Sequence, residues 1–322
     1  MDPQETNLLV FEQEVENVVK FDRSVLAIIM GTDIMICSPF EANRPLGGMH
    51  NTFYKHMCKI RQASCILVDC SQANILINES HLPKPQPSLI CLDESNHFTV
   101  FDCPRRLVLS KFLISDVYDI ISFCGSNVEP FEIAIITPSR FLVVKVNLDD
   151  YSIVKQFNVS ATSITPYLDG YLLTTSDGMQ LYSDGKLTDF YPNFPPKSFL
   201  KVDDTKIIIA TQLKKHNLKF HLVGGKSFGL SQCTLQLWDV TCGYIVALHN
   251  GAFLSITNID NNNKTITVKL TKPLEGSKFL FAAPDSKKDA IVVIVFFQKN
   301  AITVKVPLAL IVGAVDDALD NK

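Results

Sequence analysis

The chain has 322 residues, 47% of them hydrophobic, with 30 basic against 33 acidic side chains and a formal net charge of −3. That length and apolar content suffice for a large globular core. The near-neutral, slightly acidic balance excludes a free-standing basic nucleic-acid binder, so any role at RNA is expected to run mostly through partners or one local patch.

Residues 1–20 begin acidic and lack an apolar h-region, so no targeting segment is expected there. Short runs rich in Val, Ile, Thr and aromatics then follow one another. In chain order they are SVLAIIM, DIMICSPF, ASCILVDC, ANILINES, SLICLD, HFTVFD, LVLSKFLI, FEIAIITP, RFLVVKVNL, SIVKQFNV, YLLTTS, MQLYS, KIIIATQ, TLQLWDV, YIVALH, FLSITNI, TITVKL, KFLFAAP, AIVVIVFF and AITVKV. Turn clusters such as GTD, SDG, LDDY, YSDGK, DVTCG, NIDNNN and APDSKKD separate them. Sustained helical periodicity is missing, apart from a short small-residue stretch at the C-terminal end. The chain therefore reads as all-β, with about twenty strands. The longest apolar runs, Ala290–Phe297 and Val306–Val315, fall short of the ~20 residues a membrane helix needs and read as buried strands.

Nine cysteines stand at positions 37, 58, 65, 70, 91, 103, 124, 233 and 242. None forms a Cys-x-x-Cys pair, the count is odd, and most sit inside apolar runs. They read as small buried hydrophobes in a reducing, intracellular compartment.

One unit recurs: an apolar alternation, an aromatic, an aspartate, a short turn and a second apolar strand. TLQLWDVTCGYIVAL (Thr234–Leu248) and HFTVFDCPRRLVLS (His97–Ser110) show it best. Weaker copies are SCILVDCSQANILI, RFLVVKVNLDDYSIVKQF, GMQLYSDGKLTDFY and GTDIMICSPF. The spacing is close to that of propeller blades. A WD40-like β-propeller of about seven four-stranded blades, with a short C-terminal helix, absorbs residues 1–322 as one domain. A two-sheet assembly is the alternative. In the propeller reading Trp238 and Asp239 are structural and end a third strand, Trp238 packing between blades and Asp239 satisfying turn amides. Phe101 and Asp102 hold the equivalent places.

Motifs for chemistry are weak. GGKS (Gly224–Ser227) imitates the end of a phosphate loop, but Phe220 stands where that motif needs glycine. His216 and His221 lack the further ligands a zinc site requires. The Ser-Asp-Gly turns read as hairpins in which glycine supplies positive φ. No catalytic, cofactor-binding or metal-binding residue is assigned, and neither a cofactor nor a small-molecule substrate is expected. Two segments read as loops with contact potential. Gln212–Gln232 carries Lys214, Lys215, Lys219 and Lys226, a candidate partner or RNA contact. Glu41–Gln62 mixes basic, aromatic and methionine residues.

The last third of the chain carries a resemblance. KVDDTKIIIAT, a long polar insertion, CTLQLWDVTCGYIVAL, FAAPDSKKDAIVVIVFF and the closing AITVKVPLALIVGAVDDAL follow one another in that order. The arrangement resembles the end of the N-terminal propeller of the nucleolar protein 11 family. The long helical half of those proteins has no counterpart in these residues. The resemblance implies a non-catalytic scaffold in ribosome biogenesis. It would be a subunit of the transcription-linked part of the small-subunit processome, supporting pre-18S rRNA processing and rDNA transcription in the nucleolus. Its partners would be other protein subunits of a large assembly. The alternative is the N-terminal propeller of a vesicle-tethering or coat subunit, cytoplasmic and peripheral on endomembranes without direct insertion. An enzyme propeller is third.

Overall fold

The structure is a computed structural model. It describes residues 4–22, 25–37, 52–69, 85–103, 107–147, 150–192, 198–203, 205–214, 217–231, 233–234, 237–259, 265–270, 273–285 and 287–309. Among the described residues, twenty-eight strands form seven four-stranded antiparallel sheets, the blades of a WD40-like β-propeller.

The N-terminal strand β1 (Gln4–Val10) stands apart from its neighbours in sequence. The first full sheet is β2 (Asn17–Asp22), β3 (Val25–Met30), β4 (Asp33–Cys37) and β5 (Thr52–Lys55). The second is β6 (Ile60–Val68), β7 (Gln86–Asp93), β8 (His97–Asp102) and β9 (Leu107–Leu113). The third is β10 (Ser122–Gly125), β11 (Glu132–Ile136), β12 (Phe141–Val146) and β13 (Tyr151–Phe157). The fourth is β14 (Ala161–Tyr167), β15 (Gly170–Thr175), β16 (Gly178–Ser183) and β17 (Lys186–Pro192). The fifth is β18 (Ser198–Asp203), β19 (Lys206–Lys214), β20 (Asn217–Leu222) and β21 (Ser227–Ser231). The sixth is β22 (Trp238–Thr241), β23 (Tyr244–His249), β24 (Phe253–Asn258) and β25 (Thr265–Lys269). The last is β26 (Phe279–Pro284), β27 (Ala290–Phe296) and β28 (Asn300–Pro307), completed by β1, which pairs antiparallel with β28 from Gln4↔Lys305 to Val10↔Asn300.

The chain divides into two compact units. One comprises Met1–Met30, Cys37–Asn51 and Lys197–Lys322; the other comprises Gly31–Ile36 and Thr52–Pro196. In the second unit, side chains of β12 alternate between two cores. Leu142, Val144 and Val146 pack with β6–β9, while Phe141 and Val143 pack with β14–β16. In the first unit Val246 and Leu248 of β23 pack with the last sheet, and Ile245 and Ala247 pack with β19 and β20. A strand buried on both faces needs apolar side chains at every position, which explains these unbroken apolar runs.

Two-residue hairpins join several strands. Cys242 and Gly243 take φ of 48° and 81° between Thr241 and its partner Tyr244, the twist a primed hairpin turn requires. Asp184 and Gly185 do the same at 52° and 72°. Among the described residues, eight cysteines are free, most of them buried. Burial pushes the Cys37 thiol up to about 12.

The structure departs from two expectations, and a third falls on residues outside the described ones. The Gln212–Gln232 segment is not a loop: strands β19, β20 and β21 run through it. In NLKFHL, Leu218 and Phe220 are buried while Lys219 is exposed, the alternation of a half-solvated strand. Its lysines made it look like loop. Second, Trp238 and Asp239 open the first strand of their sheet; they do not end a third strand. HFTVFD does end a third strand, β8. The apolar pattern is alike in both places, so it does not reveal a strand's rank in the sheet. Third, the C-terminal helix expected in residues 310–322 lies outside the described residues, as does the first half of the Glu41–Gln62 segment, residues 41–51.

Close approach of neighbouring sheets shows at Gly125 in β10. A Cβ there would stand 2.3 Å from the Cys65 carbonyl oxygen and 2.7 Å from Ile66 Cα, both backbone atoms of β6. Neither can yield without moving a strand. Gly125→Ala should therefore lower unfolding free energy by about 1–3 kcal/mol. Chemical denaturation checks this, and an unchanged midpoint would contradict the packing described.

Candidate functional site

One buried carboxylate in the first unit, Asp239, draws partners from three other sheets. It sits near the start of β22 and is only 6% exposed. Lys201 of β18 donates to its Oδ1 at 3.0 Å. Lys20 of β2 approaches its Oδ2 at 3.5 Å, and the backbone N–H of Ala282 in β26 donates to the same oxygen at 2.9 Å. Lys20 also donates to the Ala282 carbonyl at 2.6 Å, and Lys201 to the Trp238 carbonyl at 2.7 Å. One carboxylate thus joins the first strands of four sheets. Its partners lie on other sheets, not in the turn that follows it, which corrects the expectation from the Trp-Asp motif.

Burial alone would raise the Asp239 carboxyl. Lys201, Lys20 and the Ala282 N–H outweigh that and hold it below the ordinary aspartate range. A group with a depressed folded pKa stabilises the fold above its unfolded pKa, and the contribution is lost as pH falls through the folded value.

Trp238 is fully buried and packs edge-on against Phe220 of β20, with ring centroids 5.1 Å apart. The Lys201 ammonium lies 4.9 Å from the indole centroid, a cation–π contact. Asp203, at the end of β18, accepts the Gly243 N–H at 2.6 Å. The junction between the fifth and sixth sheets therefore combines an aromatic pair, an ion pair and a turn clamp. Sequence reasoning singled out Trp238 and Asp239 but missed Lys20, Lys201 and Asp203. Lys20 lies 219 positions from Asp239, and no local pattern connects them.

Phe101 and Asp102 are both buried at the end of β8. Ser88 donates to the Phe101 carbonyl and accepts the Cys103 N–H at 2.9 Å. Tyr54 donates to the Asp102 and Cys103 carbonyls at 3.3 and 3.2 Å, and its ring lies 5.3 Å from that of Phe101. This constellation fixes the end of β8.

The three described lysines of the Gln212–Gln232 segment stand at separate places along its strands. Lys214 ends β19, Lys219 lies mid-way along β20, and Lys226 is exposed in the turn between β20 and β21. Lys214 and Lys226 thus occupy opposite ends of a strand of six residues, β20, so a gap of roughly 17–20 Å separates them. Lys215 lies outside the described residues. The basic character is a stripe along an outer hairpin, not a cluster.

In the second unit a cavity of about 600 Å³ opens beside β16, lined by Asn158, Ser160, Thr175, Ser176, Asp177, Gln180 and Asp189 among others. Gln180 donates to Asp189 at 3.0 Å. Among the described residues, the lining contains two carboxylates and hydroxyl groups but no histidine, cysteine, lysine or arginine. Among the described residues no three His, Cys, Asp or Glu side chains gather in a way that could hold a metal ion.

No protein-family model matches this sequence, and no curated protein matches it. The site is therefore read from its own geometry.

Truncating Trp238 removes a fully buried indole from a packed junction, so Trp238→Ala should cost about 3–5 kcal/mol. An unchanged melting temperature would contradict the packing. Asp239→Asn should flatten the stability profile below about pH 4, where the wild type loses the Asp239 contribution as its carboxyl protonates. Thermal melts of both proteins across acid pH check the sign; parallel profiles would contradict it.

Proposed function

We propose that the chain is a non-catalytic interaction scaffold. The observation that carries this reading is the propeller fold, in which one buried carboxylate ties the first strands of four sheets. Strands held this way present side chains and turns at fixed geometry, which is what assembly on a rigid body needs. The chemistry at the tie is structural. Asp239 already holds two ammonium groups and an amide.

In its specific form, the chain is a processome-type subunit that supports pre-18S rRNA processing and rDNA transcription in the nucleolus, joining other protein subunits. The sequence resemblance of the last third to the nucleolar protein 11 family supports this form. The lysine stripe on β19–β21 is the surface proposed for an RNA or acidic-partner contact, since Lys219 and Lys226 are exposed. The slightly acidic charge of the whole chain fits entry into a ribonucleoprotein mainly through protein contacts.

A tagged chain should concentrate in nucleoli and co-purify with ribosome-assembly proteins. Recovery of tethering or coat subunits from cytoplasmic puncta would contradict the nucleolar form. Changing Lys214, Lys215 and Lys219 together to Ala should reduce recovery of RNA or acidic partners, with a steeper loss for the wild type as salt rises. Stability should stay within about ±0.5 kcal/mol. Equal recovery by both proteins at two salt concentrations would remove the stripe from the account.

A further inference from the structure

The cavity beside β16 lies within the second unit, between the β13–β14 link and the wall made by β15, β16 and β17. At about 600 Å³ it has room for a short peptide segment. Side chains of the wall direct donors at one another. Thr175 donates to the Gly178 carbonyl at 3.1 Å, Ser176 to Asp177 Oδ1 at 3.1 Å, and Gln180 to Asp189 Oδ1 at 3.0 Å. What remains on the wall is mainly acceptor capacity. An ionised carboxylate offers about four lone-pair sites, and Asp177 and Asp189 each fill one from a side chain. Gln180 Oε1 is buried without a hydrogen-bond partner among the described residues, so its carbonyl dipole adds to the negative potential of the wall.

Among the described residues no cation answers this charge, since neither Asp177 nor Asp189 enters an ion pair. The basic side chains on adjoining elements are engaged elsewhere. Arg140 stands beside the Phe141–Phe157 pair, next to Asn158, but it shares the parity of Leu142, which packs with β6–β9. Its guanidinium donates to the Asp116 carbonyl at 2.7 Å. Lys155 reaches the turn between β16 and β17, where a Cβ on Gly185 would stand 3.6 Å from its Nζ, and Lys186 follows that turn. Asp189 pairs with Gln180 and Lys186 with Ser183, so this turn lies roughly 10 Å beyond Asp189. Asp177 lies a similar distance from Gln180 in the other direction, which sets the two aspartates about 10 Å apart along the strand.

We propose that this cavity binds a basic peptide segment in which two positively charged side chains, Arg or Lys, stand one residue apart. Such side chains leave the same face of an extended segment about 7 Å apart, and their length covers the remaining distance to Asp177 and Asp189. Asn158 and Ser160 make no side-chain hydrogen bond among the described residues, so they offer donors to the carbonyls of the segment. Nucleic acid is disfavoured, because its phosphates would meet two carboxylates and no cation of the lining. A neutral sugar would leave both charges unanswered. The proposal goes beyond the scaffold reading by committing to one cavity and one ligand chemistry. It stands or falls independently of the nucleolar form and of the lysine stripe.

The test is fluorescence anisotropy with the full chain and a labelled peptide carrying Arg at alternate positions among Gly and Thr. A peptide with citrulline for Arg keeps the shape and loses the charge, and a labelled oligouridylate stands for nucleic acid. The Arg peptide should bind at least about fivefold more tightly than either, and more weakly as salt rises. Asp177→Asn and Asp189→Asn should each weaken it about fivefold, with an unchanged melting temperature because both side chains are exposed. Glu94→Gln removes an exposed carboxylate outside the cavity and should leave the affinity as it is. Unlabelled Arg peptide should displace the probe at lower concentration than putrescine, a free diamine, or maltohexaose, a neutral sugar. The proposal is overturned by absent binding, by equal binding of the citrulline peptide or the oligouridylate, or by equal affinity of the wild type and the Asp177→Asn, Asp189→Asn double variant. It is overturned equally by the same loss in Glu94→Gln, or by displacement with putrescine or maltohexaose at lower concentration than with the Arg peptide.

Discussion

A buried carboxylate must be compensated or it unfolds its surroundings, because removing an ion from water costs several kcal/mol even after relaxation. Asp239 meets that demand with two lysines and one amide drawn from three other strands. The requirement fixes more than one side chain. Lys201 lies against Trp238 because it reaches for Asp239, and Trp238 is thereby pressed onto Phe220. Ala282 is held from both its amide and its carbonyl, so β26 is registered against β22 by backbone atoms. Asp203 clamps the turn that follows β22. Hydrophobic clusters fill the space between sheets, but they are non-directional; the polar tie sets how far β2, β18, β22 and β26 slide past one another.

This division of labour explains which parts of the fold were legible in the sequence. AIVVIVFF was readable as a strand because both faces are buried and every position is apolar, and RFLVVKVNL because Phe141–Val144 make an apolar run interrupted only at Lys145 within the strand. The repeating strand-turn pattern was enough for a propeller of seven four-stranded blades. SFCG, ATSITPY and SFLKVD were missed, although each opens a sheet as β10, β14 or β18. They are short or polar, and their places are set by contacts with neighbouring sheets, which local periodicity does not record. The outer strands β20 and β21 were taken for a loop because their exposed positions carry Lys, Ser and Gly.

The candidate site was legible only in part. The Trp-Asp pair marks a special place, yet its aspartate works at long range and not within its own turn. The lysines that answer it lie 38 and 219 positions away in the chain. An isolated lysine in NVVKFD or SFLKVD carries no signal by itself. The conspicuous Lys-rich stretch drew attention by local density, while the pair that shapes the centre of its unit passed unnoticed.

The central claim is that Lys20 and Lys201 act together through one carboxylate. A double-mutant cycle of Lys20→Met and Lys201→Met, read as unfolding free energy, tests it most directly. Either single change leaves Asp239 one ammonium partner; the double change leaves a buried charge with an amide alone. The double variant should therefore lose more than the sum of the singles, by about 1 kcal/mol or more. Strict additivity would contradict the shared tie, leaving the two lysines as independent surface contacts.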